Sequence, residues 1–587
     1  MAKMTAAEAI VKVLESEGVE HAWGVPGAAI NPFYEALDKS PITHYTVRHE
    51  EGATHAAEGL TRAGGGIGVA IGTSGPAGTN MVTGLYSAIA DSIPILTITG
   101  QAEQSMLHKE GFQAIDIVEI VKPVTKWAVM IREAAQAPYI VREAFRIMRS
   151  GRPGPVHLDL PIDMQKTIID YDPELDAPLP VFPVEPHLPK IEKALDMLAE
   201  AKNPIIIAGG GVIIGEASEQ LIKFAEITGV PVVPTLMGWG SIPDDHPLQV
   251  GLVGLQTHQR GANAAFLESD FVLGIGNRFG DRHTGTLDVY RNGRKFIHID
   301  IEPTQIGRVF EPDLGIVSDA KPALEALIAS AEKRTKAKKW PNFANWADRC
   351  QELKATLLRK TDYDNVPIKP QRVYQEINNF FGPDTVFVTA IGVYQILSGQ
   401  FQKIYKPRHY IICGQAGPLG WEISACMGAK LAKPEKQVVS VVGDFSFQFL
   451  IEELAVSVQY KVPYVMILLN NSTLGLIRQN QETVYGYNYS VGLGYENANN
   501  PEVGEYGFDH VKAVEAMGAK AIRVKNPAEL SKAFHWATQT AEADQIPVVV
   551  EVICEHTTNA AMGPSLDKIK EFDEAIDLPA KKKEDVA

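Results

Sequence analysis

The sequence predicts an α/β protein of three doubly wound units with mostly parallel sheets. Three observations predict it. The chain has 587 residues, which at roughly 150–200 residues per domain gives three or four domains. Short uninterrupted β-branched runs alternate with amphipathic stretches along its length. Two proline-rich stretches divide it into three parts of about 180, 175 and 195 residues, each within the usual domain range.

The strands come first. Gly68–Gly72 and Ile95–Thr99 in the first part, Ile205–Ala208 and Phe296–Ile299 in the second, and Val438–Val442 and Val462–Leu469 in the third are apolar without alternation. Runs of that kind between helical patterns belong to parallel sheets covered on both faces. The connections follow from proline, which removes a backbone donor and cannot continue a helix or a central strand. One connection runs from Tyr171 to Pro189, with prolines at 173, 178, 180, 183, 186 and 189. The other follows the basic run Lys333–Lys339 and ends near Asn365–Pro370. The expected division is therefore 1–180, 190–350 and 366–560, with a C-terminal tail at 561–587. From about Asp567 that tail lacks apolar anchors, and its end is expected to be mobile.

Composition narrows the function. Lys and Arg total 55 against 71 Asp and Glu, a net charge of −16, which argues against a surface that neutralises phosphate backbones, so no nucleic-acid partner is expected. The four cysteines, Cys350, Cys413, Cys426 and Cys554, show no metal-ligand spacing. No run reaches the ~18 apolar residues of a membrane span, and the N-terminus carries an acidic residue before any long apolar stretch. A cytoplasmic protein without a membrane partner is expected.

The strongest local signal is Val441-Val-Gly443-Asp444-Phe445-Ser446, followed by Leu469-Asn470-Asn471-Ser-Thr473. Asp444 stands just past a strand end, where the ligand crevice of such a sheet lies, and Ser446 opens a helix whose first amides attract phosphate. Asn471 ends the next strand. Neighbouring strand ends can thus offer a carboxylate and an amide oxygen to one hard cation such as Mg²⁺. Taken singly, Asp444 reads as a helix cap and Asn470-Asn471 as a turn.

Together, with 25 residues between Asp444 and Asn470, they resemble the thiamine-diphosphate and magnesium motif. Phe445 stands where that family most often has Gly. The order of Gly24-Val-Pro26-Gly27, Arg48-His49-Glu50-Glu51, Gly72-Thr73-Ser-Gly75 through Asn80, Thr99-Gly100-Gln101, Gly111-Phe112-Gln113, Gly151-Arg-Pro-Gly-Pro155 and Leu158-Asp-Leu-Pro161 is similar to the pyrimidine-binding domain of acetolactate-synthase-like thiamine-diphosphate enzymes. The resemblance spans essentially the whole chain. It implies three domains, for the pyrimidine, for FAD and for the diphosphate. Asp444, the Asn471 side chain and the Thr473 carbonyl would ligate Mg²⁺. Thiamine diphosphate would meet Pro26, Gly27, Glu50, Thr73 and Asn80 on one side, and Gly392, Val393, Tyr394, Leu419, Gly443, Phe445 and Ser446 on the other.

Cys413–Trp421, Phe447–Ala455, Leu474–Gln479, Thr235–His246 and His298–Arg308 further resemble the branch of the family that joins two glyoxylates, releasing CO2 and forming tartronate semialdehyde. One residue departs from that branch. A carboxylate beside N1′ of the aminopyrimidine favours the tautomer whose N4′ takes the proton from C2, a general acid–base role tuned by the protein. The branch carries valine there, whereas alignment on Arg48-His49 puts Glu50 in that place. A solvated helix-start acid is the plainer alternative for Glu50. Zinc is excluded on spacing, since HExxH needs a second His at 53, which is Ala53. Asp281 replaces an expected Asn, while Asn480 stands where acetolactate synthases have Trp. An acetolactate-synthase-type enzyme acting on pyruvate and a pyruvate-oxidase-like flavoenzyme are the alternatives.

Leu419 is expected to lie between the two cofactor rings with Ile391 nearby, although both also read as core. Arg282 can grip the carboxylate of the 2-oxo acid bidentately, unless it merely pairs with Asp281. In the middle part, Gly209-Gly210-Gly211, Gly276-Asn277-Arg278 and Asp300-Ile301 suit a dinucleotide, though glycine clusters more often mark turns. The resemblance implies FAD there, in a structural, non-redox role, with Ser318 and Asp319 alongside. It also implies a homodimer or homotetramer, because relatives seat thiamine diphosphate between two subunits. With a charge of −16, capture of anionic ligands must rest on local groups.

Overall fold

A computed structural model describes residues 2–574. Three all-parallel sheets follow one another along the chain. In spatial order the first holds Thr43–Thr46, His21–Gly24, Gly68–Gly72, Ile95–Gln101, Val156–Pro161 and Trp127–Met130. The second holds Val232–Pro234, Pro204–Ala208, Phe271–Ile275, Lys295–Asp300 and Leu314–Val317. The third holds Tyr410–Ile412, Val386–Thr389, Val438–Gly443, Val465–Asn470, Val548–Ile553 and Lys520–Val524. The expected α/β class with parallel sheets is what forms, and the reason is visible in burial. Every residue of Gly68–Gly72, Pro204–Ala208 and Val465–Asn470 is buried, so neither face calls for polar alternation. The chain's start also pairs back antiparallel, Ala2–Thr5 with Ile168–Tyr171.

Two helices lock the first sheet's unit to the third's. Helix α1 spans Glu50–Ala63 and helix α2 spans Trp421–Ala432. Their backbones touch because each has a glycine at the crossing. A Cβ on Gly59 would lie 2.3 Å from Ala425 O, and one on Gly428 only 2.0 Å from Ala56 O. Around the crossing, Trp23, Tyr45, Ala53 and Leu60 share one apolar core with Trp421, Ile423, Val438 and Met466.

Two expectations about connections are corrected. The boundary expected at 350 falls inside a helix, Ala344–Thr356, whose Trp346, Cys350 and Leu353 pack on the second unit's core beside Phe266 and Tyr290. Their i, i+4, i+7 spacing marks one buried face. The beginning of the expected tail is also anchored, by ions more than by apolar groups. Glu571 accepts from Arg359 twice at 2.9 Å and pairs with Arg260 at 2.8 Å. Gln371 donates to Asp573 at 2.7 Å, and Leu566 is buried. The expected mobile end, beyond 574, lies outside the described residues.

Replacing Gly428 with Ala drives a methyl into the backbone of α1, and overpacking of this kind costs about 3 kcal/mol; urea unfolding of G428A should show it as a lower midpoint. Glu571 makes the opposite kind of test. Its partners, Arg359 and His258 among them, outweigh burial and hold its carboxyl well below the ordinary range. The stability it contributes is present above the unfolded-state value and lost as pH falls through the folded one. E571Q should therefore be less stable than the parent by about 1–2 kcal/mol at pH 7, discounted for partial exposure. The gap should close as pH drops below about 4, and an equal gap at low pH would contradict the ion-pair account.

Candidate functional site

At the C-terminal end of the third sheet, Val438–Gly443 and Val465–Asn470 run side by side with Gly443 opposite Leu469. Their exits put Asp444 and Asn471 next to each other. The end of the Asn471 carboxamide lies 3.1 Å from Asp444 Oδ1 and 3.1 Å from Thr473 O. With its nitrogen turned inward it donates to both, and with its oxygen inward three oxygens converge. One carboxylate, one amide oxygen and one carbonyl form the set a hard divalent cation takes while keeping room for phosphate oxygens. Burial pushes the Asp444 carboxyl up to about 6, against the pull of His510. A buried carboxylate of this kind gains from a bound cation.

Gly392, Val393 and Tyr394 begin the helix Val393–Phe401 beside this set, with Gly392 at φ +107°. Tyr394's ring lies against Gly443, its buried hydroxyl has no protein partner, and Val393 flanks Gly475 next to Asn471. Ser446 Oγ accepts from Gly420 N at 3.1 Å and donates to Glu422 at 3.1 Å. That bond ties the loop of half-buried Leu419 to the Asp444 segment. Ile391 packs on Gly417 of the same loop, and half-buried Phe445 has its ring 5.1 Å from that of Phe449. The third-unit residues assigned to the cation and its surroundings thus lie around the Asp444 segment, while Asn480 ends the separate helix Gly475–Asn480.

The first-unit set gathers too. Gly27 packs on Thr73, with exposed Pro26 preceding it. Glu50 is the first residue of α1, its Cγ faces Gly72, and its Oε2 accepts from Asn80 Nδ2 at 2.9 Å. Glu50 is half-buried with a single amide donor, which fits a carboxylate presented to a ligand better than a fully solvated acid. Among the described residues, no hydrogen bond or ion pair joins this pair to the Asp444 set.

A cavity of about 1040 Å³ opens between the three units. It is lined by Gly209, Gly210, Gly211, Gly276, Asn277, Arg278, Asp300, Ile301, Ser318 and Asp319, every residue the sequence assigned to a dinucleotide. The glycines are required, since a Cβ on Gly209 would meet Gly276 O at 2.1 Å. Asn277 Nδ2 is buried without a partner. Burial pushes Asp300 up to about 6, and its position past the strand Lys295–Asp300 is where an acid can reach a ribose hydroxyl. Ser318 and Asp319 also hold the connection at Val184, by a hydroxyl donated to its carbonyl at 2.9 Å and a carboxylate accepting from its N–H at 2.7 Å.

Arg282 lines the same cavity. It does not pair with the Asp281 side chain through its guanidinium. It donates to Gln256 Oε1 at 2.7 Å, Gly414 O at 3.2 Å and Gln395 Oε1 at 2.6 Å, all neutral acceptors. Burial lowers its pKa, and its charge remains available to an anion.

The sequence reading missed the buried charges behind the site. Glu422 and Glu453 are each pushed up to about 7 by burial. Arg62 pairs with Glu58 at 2.7 Å and Asp91 at 3.2 Å. Only the i, i+4 spacing of Glu58 and Arg62 was a signal, and it also suits a surface pair. Arg152 and Arg308, two further cations of the cavity, lie in the stretches Gly151–Pro155 and His298–Arg308 on which the resemblance rests, but no role was read for them there.

A parallel-sheet crevice that offers a cation set, in a chain whose first unit presents a half-buried carboxylate at a helix start, is the pattern of a diphosphate-cofactor enzyme. Family models for thiamine pyrophosphate enzymes match all three units. The N-terminal TPP binding domain matches 4–120, the central domain 191–327 and the C-terminal TPP binding domain 390–552. The chain is 56% identical over 582 residues to glyoxylate carboligase of Escherichia coli O157:H7, covering 99% of this chain and 98% of that one. It is 36% identical over 591 residues to a probable acetolactate synthase large subunit of Methanococcus aeolicus, covering 98% and 96%. A second such subunit, from Methanocaldococcus jannaschii, is 39% identical over 560 residues, covering 93% and 92%. The chain belongs to the thiamine pyrophosphate enzyme family, in the group that holds glyoxylate carboligase and the acetolactate synthases.

Proposed function

We propose that this chain is a carboligase that joins two molecules of glyoxylate, with loss of CO2, into tartronate semialdehyde, using thiamine diphosphate (thiamine pyrophosphate) held through Mg²⁺. The observation that carries the reading is the convergence of the Asp444 carboxylate, the Asn471 carboxamide and the Thr473 carbonyl at the third sheet's crevice, in a chain 56% identical to a glyoxylate carboligase over 99% of its length. Bound thiamine diphosphate supplies a carbon nucleophile and an electron sink for decarboxylation.

The chain's own residues do the rest. Asp444, Asn471 and the Thr473 carbonyl would hold the cation, and the amides of Gly392 to Tyr394 with Gly443, Phe445 and Ser446 would hold the diphosphate. Ile391 and Leu419 would set the angle between the cofactor's rings. Glu50 would keep a proton at N1′, and the Asn80 amide, bonded to Glu50 Oε2 at 2.9 Å, fixes which oxygen faces the ring. Arg282, bonded only to neutral acceptors, would receive the carboxylate of the second glyoxylate.

The cavity lined by Gly209–Gly211, Gly276–Arg278 and Asp300 would take FAD as a structural group. Its glycine cradle, its cations and the unpartnered Asn277 amide fit a diphosphate-bridged dinucleotide. A cytoplasmic homodimer or homotetramer belongs to the same proposal. Among the described residues, no helix is long and apolar enough to cross a membrane.

The test is product analysis. Purified protein with thiamine diphosphate and Mg²⁺ should release CO2 from glyoxylate and form tartronate semialdehyde in preference to acting on pyruvate. D444N should raise the Mg²⁺ concentration needed at least tenfold. Pyruvate as the preferred substrate would overturn the assignment, and flavin bleaching during anaerobic turnover would mark an oxidase. E50V should slow proton exchange at C2 of the bound cofactor about 10²-fold, the low end of general acid–base effects. An unchanged rate would return Glu50 to the role of a solvated acid.

A further inference from the structure

The segment that leads Glu50 into its helix hangs on side chains of the third unit. Helix α3 spans Glu453–Gln459. Between the strand Thr43–Thr46 and α1, Arg48 N and His49 N both donate to Glu453 Oε1, at 2.8 and 2.9 Å. Thr46 N donates to Tyr460 Oη at 2.9 Å, and the Arg48 guanidinium donates to Gln459 Oε1 at 2.7 Å. Glu453 is only 3% exposed. Gly52 makes the space it occupies, since a Cβ there would lie 2.8 Å from the Glu453 carboxyl carbon and 2.9 Å from its Oε1. The carboxylate therefore sits inside the turn, and its two acceptor bonds fix the backbone one and two residues before Glu50.

We infer that Glu453 is a positioning residue for Glu50. By accepting from two successive backbone N–H groups it sets the angle at which α1 starts, and with it the direction in which Glu50 points; the inference rests on the reading of Glu50 as the N1′ partner. Hydrogen bonds from backbone amides to a carboxylate are among the strong ones, and a carboxylate displaced by about 1 Å can cost 10²-fold in rate. Asn80 holds the far end of the Glu50 side chain, and Glu453 holds its root. Glu453 comes nine positions after Asp444 in the chain. The stretch that presents the cation set thus also orients the acid carried by the first unit. Burial pushes the Glu453 carboxyl up to about 7 despite the two backbone donors. Both bonds go to the single oxygen Oε1, and a glutamine oxygen in that place accepts the same two bonds.

The test compares E453A, E453Q, E50V and the double variant E453A/E50V as holoenzymes with thiamine diphosphate and Mg²⁺. Proton exchange at the cofactor's C2, amide hydrogen exchange across residues 46–52 and the Kd for thiamine diphosphate are measured. E453A should slow C2 exchange about tenfold or more and speed amide exchange at Arg48 and His49, with Kd changed less than about threefold. E453Q should keep both exchange rates near the parent's. E453A/E50V should be no slower than E50V, because the loss passes through Glu50. A parental C2 rate in E453A, or a double variant slower than E50V by the full E453A factor, overturns the inference while leaving Glu50's role intact. A parental rate in E50V removes both. Should E453A fail to fold, E453D, too short to reach both amides, should slow C2 exchange, and a parental rate in it overturns the inference equally.

Discussion

The relative placement of the three units depends on one buried carboxylate. Asp91, at the end of a helix of the first unit, accepts from Gly414 N at 2.8 Å and Gln415 N at 3.2 Å in the third. It pairs with Arg62 of its own unit at 3.2 Å and with Arg278 of the second at 3.5 Å. Arg62 is itself clamped by Glu58, donates to Ile412 O at 2.9 Å and lies 5.4 Å over the Trp421 ring. Charges this deep are tolerated only when paired, and removing one partner of a buried pair costs about 3–5 kcal/mol. The three units therefore cannot slide past one another without exposing an unpaired charge. The cavity between them, which Arg62, Asp91, Arg278 and Gly414 all line, keeps its shape for the same reason.

The glycine crossing of α1 and α2 is the apolar counterpart of that constraint. It brings two backbones within contact, which buries the charged side chains at its rim, Glu58 and Arg62. Close packing and ion pairing are thus two consequences of one helix contact. In the function proposed, the same contact would also matter to the site, because α1 begins at Glu50 and the loop before α2 holds Leu419. The first unit's acid and the third unit's Leu419 are thus attached to the two helices of one close-packed crossing.

What was legible in the sequence was what local pattern encodes. Runs such as Val438–Gly443 announced buried parallel strands, and the Asp444 to Asn471 spacing announced two neighbouring strand ends. The glycines at 209–211 and 276 announced turns or a dinucleotide cradle, and the close approach of Gly209 to Gly276 is how the structure uses them. Glu453 was invisible because its meaning lies with Arg48 and His49, more than 400 residues away in sequence. Asp91 was invisible for the same reason. The segment after 560 was misread on physical grounds. A stretch without apolar anchors looks like a tail, yet Glu571 docks it through Arg359 and Arg260, cations that sequence alone does not match to it. Ala344–Thr356 was lost between a basic run and prolines, although Trp346, Cys350 and Leu353 carried the helical period.

The charge of −16 acquires a local meaning in the cavity. Arg152, Arg278 and Arg308 line it together, and burial, then the charges of Arg278 and Arg308, lower the Arg152 pKa. The charges of Asp300 and Glu302 act on Arg152 in the opposite sense. Three guanidinium groups in one wall of an acidic protein give an anion a local attraction that the net charge does not. A diphosphate-bearing ligand would be drawn there, and whatever binds only the folded chain stabilises it by mass action. In the function proposed, the dinucleotide would then act as an ionic keystone between units already joined through Arg278 and Asp91. Such a group would need no redox chemistry to be required, since its work would be to balance the charge of the wall on which the second unit meets the other two.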